Sequence, residues 1–215
     1  MEELVSRVRE QVAGTFGPDA VAHDLPHLDR VHALARALAE REGGDPVVVG
    51  AAAYVHDYHR ILEKRTGDPV RPEAAAGPIA EVLAAAGLAP AVADAVLACV
   101  ACTDVYGFAA DPVALPDRPV EGRVVRDADV LDALGAVGIA RAFMYGGALG
   151  EPMWVPDAPL QDGYREGRTS SVVHHFHEKL LRLEDDMWTA TGAGLARERT
   201  AFMRDFLARL ETELA

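Results

Sequence analysis

The eight histidines of this chain fall in two groups, His23 to His59 and His174 to His177, with none between residues 60 and 173. Helical spacing puts His27 on one face with Val31, Leu34 and Leu38, and His56 on one face with Val49, Ala52 and Ala53, so both imidazoles turn toward an apolar interior. Asp57 follows His56 directly, and Asp127 shares a stripe with Val124, Leu131 and Leu134. An ionised carboxylate taken out of water needs a cation, a basic partner or a cage of hydrogen bonds. A single core-facing histidine is most often just hydrogen-bonded. Two histidines and two aspartates together are satisfied at once by one divalent metal ion on His27, His56, Asp57 and Asp127. Mixed nitrogen and oxygen donors suit Mn²⁺, Fe²⁺, Co²⁺, Ni²⁺ or Zn²⁺ better than Ca²⁺. Four protein ligands also leave positions for water and a phosphate oxygen.

The elements that must position these residues read as helices throughout. Ala and Leu are abundant, apolar residues recur every three or four positions, and no sustained apolar/polar alternation marks a sheet. The punctuation predicts a helix over 2–14, ended by Gly14 and Gly17, and one over 26–42, opened by Asp24 and closed by Gly43-Gly44. A third opens at Asp45-Pro46 and runs to His56. Helices over 72–86 and 90–103 precede a Pro-rich break through Pro112, Pro116 and Pro119. The pattern resumes over 120–145, where Gly135 and Gly138 permit a bend or a close backbone approach. A long connection from Gly146 to about Arg168 carries Trp154, and helices over about 170–183 and 189–210 complete the chain. The expectation is one all-α domain over 1–215.

Composition narrows the function classes. The net charge of −13 opposes binding to a nucleic-acid polymer, and no Lys/Arg run offsets it, whereas a small phosphorylated substrate needs only a cation and a few local basic groups. Cys99 and Cys102 lie one turn apart in an Ala/Val-rich stretch, which reads as buried packing. No stretch of about 18 apolar residues marks a membrane span, and the Met-Glu-Glu-Leu-Val start lacks a signal pattern, so a cytoplasmic location without membrane contact is expected.

The strings His23-Asp24-Leu25-Pro26-His27-Leu28-Asp29-Arg30-Val31, Val55-His56-Asp57 and Val125-Arg126-Asp127-Ala128-Asp129-Val130-Leu131-Asp132-Ala133-Leu134-Gly135, in that order, resemble the HD-domain superfamily. The likeness continues through Ala136 to Phe143, His175 to Leu181 and Met187 to Phe206, and its nearest branch looks like the small bacterial nucleotide pyrophosphohydrolases of the YpgQ/YedJ type.

That resemblance implies an HD-type helical bundle with the metal set His27, His56, Asp57 and Asp127, Mn²⁺ leading the candidates and Mg²⁺ a further one. It also implies hydrolysis of nucleoside or deoxynucleoside triphosphates to monophosphate and pyrophosphate. Metal-activated water would attack phosphorus, with Asp57 both ligating and orienting the water as the expected catalytic residue. Lys179, Arg141 and His175 fall in matching segments and are the expected substrate-binding residues. Arg30, Arg60 and Lys64 are further phosphate candidates, and Trp154 or Tyr164 could stack on a base. Dinuclear members carry extra histidines between the HD pair and the last Asp; their absence here implies one metal. The acidic residue that several members place a turn after the HD pair is replaced by Tyr58, His59, Arg60 and Ile61, which leaves His59 or Glu63 as candidate bases. A phosphomonoesterase of the 5′-nucleotidase kind, an iron oxygenase and a non-catalytic nucleotide-binding module stay open, as does a homodimer.

Overall fold

The computed structural model describes residues 2–16, 22–68, 70–109, 118–161 and 169–214. Among these the fold is all-α, with ten α-helices, two short 3-10 helices and no β-sheet. The chain divides into two compact units, the first formed by residues 1–104 and 115–129 and the second by 105–114 and 130–215.

The first unit is built around α3 (Pro46–Val55), whose sequence Pro-Val-Val-Val-Gly-Ala-Ala-Ala-Tyr-Val is apolar on every side. Such a helix has no solvent face to offer. Val48 through Val55 are accordingly all buried, and α1 (Glu2–Ala13), α2 (Leu25–Glu42) and α6 (Pro90–Val100) pack around them. Asp45 caps α3 by accepting from the backbone N–H groups of Val47 and Val48, and Pro46 occupies the first turn, where its missing N–H costs nothing. Asp24 caps α2 in the same way, a contact worth about 1 kcal/mol. Gly43 ends α2 at a φ of 91°.

Several boundaries differ from the sequence reading, two of them near the histidines and aspartates. The third helix stops at Val55, His56 and Asp57 form a turn, and a separate α4 (Tyr58–Thr66) follows, ended by left-handed Gly67. The stretch expected as one helix over 120–145 is two, α7 (Val120–Asp132) and α8 (Gly135–Leu149). Leu134 is extended and Gly135 has a φ of 71°, a region other residues enter only with strain, so the chain turns there before helix resumes. A 3-10 turn (Pro72–Ala75) and α5 (Ala76–Ala85) complete the first unit.

In the second unit α8, α9 (Val172–Glu178), a 3-10 helix (Leu180–Asp186) and α10 (Ala190–Leu214) pack together. Phe143, Phe176 and Phe206 form its aromatic centre, with ring centroids 5.7 to 6.5 Å apart. Among the described residues no helix is long and apolar enough to cross a membrane. Cys99 and Cys102 are buried and not in a disulfide, in line with the packing role read from their spacing. The Pro-rich stretch through Pro112 and Pro116, and Tyr164, lie outside the described residues.

Candidate metal centre

His27 sits in the first turn of α2, and its backbone N–H donates to Asp24 Oδ1 at 2.9 Å, so the cap that starts the helix also fixes this histidine. His56 ends α3. Its Nδ1–H donates to the Ala53 carbonyl at 2.9 Å, which leaves the Nε2 lone pair facing away from the helix. Both rings are fully buried, with centroids 5.3 Å apart.

Around them stand two carboxylates. His27 Nε2 lies 3.2 Å from Asp57 Oδ2 and 3.5 Å from Asp129 Oδ1. His56 Nε2 lies 3.6 Å from Asp57 Oδ1 and 3.5 Å from Asp129 Oδ1. The His56 Nε2 atom is buried with no hydrogen-bond partner, and a buried polar atom left unsatisfied costs about 1–3 kcal/mol. Metal bonds of about 2.0–2.2 Å put neighbouring ligands about 2.8–3.6 Å apart in tetrahedral or octahedral geometry. All four separations fall in that interval. The ligand atoms form two overlapping triads, His23 with His27 and Asp57, and His27 with His56 and Asp129, each within 4.8 Å, and their chemistry and spacing fit a divalent cation.

The electrostatics lead to the same conclusion. Burial works against a proton on His56, yet the facing carboxylates of Asp57 and Asp129 raise its pKa to about 9. Asp57 is held well below the usual carboxylate range, against its burial, by His56 and His23. Asp129 is also lowered, by His56, against burial and against the repulsion of Asp57. Two buried anions thus hold a positive charge between them, and a cation can take the place of that proton.

Of the four expected ligands, the structure brings together His27, His56 and Asp57. Asp127 is not with them, and Asp129 stands in its place. Two positions along a helix are about 200° apart, so the two side chains leave α7 on nearly opposite sides. Asp127 is completely buried, and its Oδ1 accepts from Arg126 Nη1 at 3.2 Å. His23 was not among the expected site residues, yet its Nδ1 lies 2.6 Å from Asp57 Oδ2. Its position one turn ahead of His27 was the available signal.

The candidate bases are engaged elsewhere. His59 is buried, donating through Nδ1 to the His56 carbonyl at 3.2 Å and through Nε2 to Asp104 Oδ2 at 2.8 Å. Burial opposes its proton, but the bond to Asp104 outweighs that and raises its pKa. Glu63 accepts from Arg60 and from the Val70 N–H.

The expected substrate residues lie in the second unit. Arg141 is paired with buried Asp132 at 3.1 Å, and the Lys179 ammonium stands 4.7 Å from the centroid of the Tyr106 ring. His175 is pushed down to about 3 by burial and by the charge of Lys179. Trp154 stacks on His174, whose Nε2–H donates to the Ala158 carbonyl, so this aromatic anchors its own connecting segment.

Known proteins resemble this chain along its whole length. The HD domain family model matches residues 25–134. YpgQ of Bacillus subtilis is 35% identical over 219 residues, spanning 100% of this chain and 96% of that protein. A crystal structure from Lactobacillus plantarum superposes with a TM-score of 0.82 at 30% identity, covering 100% of this chain and 98% of the other. The crystal structure of B. subtilis YpgQ in complex with ADP gives 0.74 at 32% identity, covering 97% of each. The matched stretch runs from the helix of His27 past Asp129 and includes every residue of the four-donor cluster, and the chain belongs to the HD-domain superfamily of metal-dependent phosphohydrolases.

Proposed function

We propose that this protein hydrolyses nucleoside or deoxynucleoside triphosphates to monophosphate and pyrophosphate, using one divalent cation, Mn²⁺ first, held by His27, His56, Asp57 and Asp129. The observation that carries the metal is the buried His56 Nε2, which has no hydrogen-bond partner and faces carboxylate oxygens at 3.5 and 3.6 Å. Support for a nucleotide substrate comes from relatives, since the similar YpgQ of B. subtilis was crystallised with ADP.

A cation at this site supplies polarisation of a phosphoryl oxygen and acidification of a water near neutral pH. The chain's own residues set the geometry. His27 and His56 offer neutral nitrogens, His56 with its tautomer fixed by the Ala53 carbonyl. Asp57 offers two oxygens on the turn between α3 and α4, one toward each imidazole, so it can ligate while its other oxygen orients the attacking water. Asp57 is the proposed catalytic residue. Lys179, with His175 and Arg141, is proposed for the phosphate side of the substrate. That assignment rests on the sequence resemblance of their segments. The protein is expected to work in the cytoplasm without membrane or nucleic-acid polymer.

The test is product analysis with purified protein and Mn²⁺ over a panel of NTPs, dNTPs and monophosphates, with pyrophosphate and orthophosphate measured separately. Pyrophosphate from triphosphates is the expected result. Orthophosphate from monophosphates would make the enzyme a phosphomonoesterase of the 5′-nucleotidase kind, and metal binding without turnover of any of these would reduce it to a nucleotide-binding module or an enzyme of another substrate.

A further inference from the structure

His23 stands beside the centre, its ligand atom within 4.8 Å of those of His27 and Asp57, but its contact with the carboxylate is a hydrogen bond in length. Its Nδ1 is 2.6 Å from Asp57 Oδ2, the length of a charge-assisted hydrogen bond and shorter than the 3.2 to 3.6 Å between the His27 and His56 Nε2 atoms and the carboxylate oxygens of Asp57 and Asp129. Its ring meets His27 edge-on, with centroids 5.7 Å apart at 81°.

Asp57 needs such a partner. It occupies the N-cap position of α4, where an aspartate usually accepts from the helix's own N–H groups, yet its side chain makes no capping bond. Nothing in its own helix therefore orients the carboxylate. The backbone that delivers His23 is unusual too. Ala22, buried just before it, has a φ of 66°, a left-handed conformation that costs a non-glycine residue about 1–2 kcal/mol. Asp24, just after it, caps α2 and fixes His27. Three consecutive residues thus place one side chain on Asp57 and another on the backbone of His27.

We infer that His23 is a positioning residue and not a fifth ligand: its Nδ1–H holds Asp57 Oδ2, aims the carboxylate at the cation and sets the strength with which this chain retains it. The inference rests on the four-residue cation site proposed above. Hydrogen-bonded partners of ligands of this kind set metal affinity over about 10–100-fold.

The experiment is Mn²⁺ titration of the full chain, following free Mn²⁺ by electron paramagnetic resonance and counting coordinated imidazole nitrogens in the bound ion by electron spin-echo modulation. His23→Leu removes the donor. His23→Asn puts an amide N–H where Nδ1 stands, and His23→Gln puts it where Nε2 stands. The expected result is a loss of about 10–100-fold in Mn²⁺ affinity for Leu and Gln, recovery with Asn, and two coordinated nitrogens in every variant. Unchanged affinity in His23→Leu would overturn the inference, as would three nitrogens in the wild type falling to two in that variant. A loss of thermal stability in the metal-free Leu variant that Asn fails to repair, with affinity intact, would assign His23 to folding alone. Wild-type protein that binds no Mn²⁺, as His56→Ala is expected to behave, would instead fail the cation site itself and the inference with it.

Discussion

His56 Nε2 and Asp129 Oδ1 stand 3.5 Å apart, at the spacing of two ligands of one ion and beyond that of a good hydrogen bond. Asp127, two residues earlier on α7, is bound instead to Arg126. The two aspartates should therefore fail differently. Asp129→Asn should lower metal affinity by more than the roughly 100-fold that marks the upper range for outer partners, with little change in the stability of the metal-free protein. Asp127→Asn should keep the metal but destabilise the fold, because it weakens the buried ion pair with Arg126, whose complete loss costs at most about 3–5 kcal/mol. Metal titration alongside chemical denaturation separates the two. Equal metal loss in both variants would return Asp127 to the ligand set.

Metal binding should also release a proton. A ligating imidazole must be neutral, and in the metal-free protein His56 holds its proton up to about pH 9. Affinity should rise about tenfold per pH unit between pH 7 and 9 and flatten above that range. The sign for stability is the opposite: a histidine pKa raised by folding stabilises the metal-free fold below about pH 6.5, and that contribution fades as pH rises through about 9. Calorimetry at pH 7 in buffers of different ionisation enthalpy counts the protons. A value near zero would mean that the carboxylates do not hold His56 charged.

How far the site could be read from the sequence follows from how each residue declares its direction. His27 and His56 were legible because each sits on a stripe whose other members are apolar, and Asp57 because it adjoins His56. Asp127 misled for a physical reason. Almost all of α7 from Val124 to Asp132 is buried, Asp129 being the partly exposed exception, so lying on an apolar face does not single out one aspartate there. The residue that faces the imidazoles is the one left partly open. The helices were legible from caps such as Asp24 and Asp45, whereas the break at Leu134-Gly135 and the division into two units depend on long-range packing that periodicity does not encode.

Acid should weaken the second unit through His175. Burial and Lys179 hold its folded pKa at about 3, while the unfolded chain takes up a proton near the ordinary value of 6.5. The unfolded state thus binds more protons between those limits, and stability falls as pH drops from about 6.5 toward about 3. The slope has a one-proton ceiling of about 1.4 kcal/mol per pH unit, and the residue's partial exposure keeps it below that. His175→Asn should flatten the profile in metal-free protein between pH 7 and 4. An unchanged slope would place the acid sensitivity in other groups.

The two thiols should be inert until the protein opens. Burial is the main force that pushes Cys99 up to about 12 and raises Cys102 as well, so neither offers appreciable thiolate near neutral pH. Alkylation at pH 8 should be slow in native protein and rapid in denaturant. Fast native labelling would show that the helix carrying Cys99 opens locally.

Two glycines of α8 give substitutions of opposite sign. Alanine ordinarily stabilises a helix by about 0.5–1 kcal/mol relative to glycine, because it restricts the unfolded chain. At Gly147 a Cβ meets nothing within 4 Å, so Gly147→Ala should gain up to about that much. At Gly138 a Cβ would collide with the backbone carbonyl of Ala133, which cannot swing aside as a side-chain tip could. Gly138→Ala should therefore lose about 1–3 kcal/mol despite its better helix propensity. Denaturant midpoints for the two variants, at matched slopes, check the pair. If both gained stability, the turn between α7 and α8 would have to yield without cost, and the close approach at Ala133 would not be what fixes the start of α8.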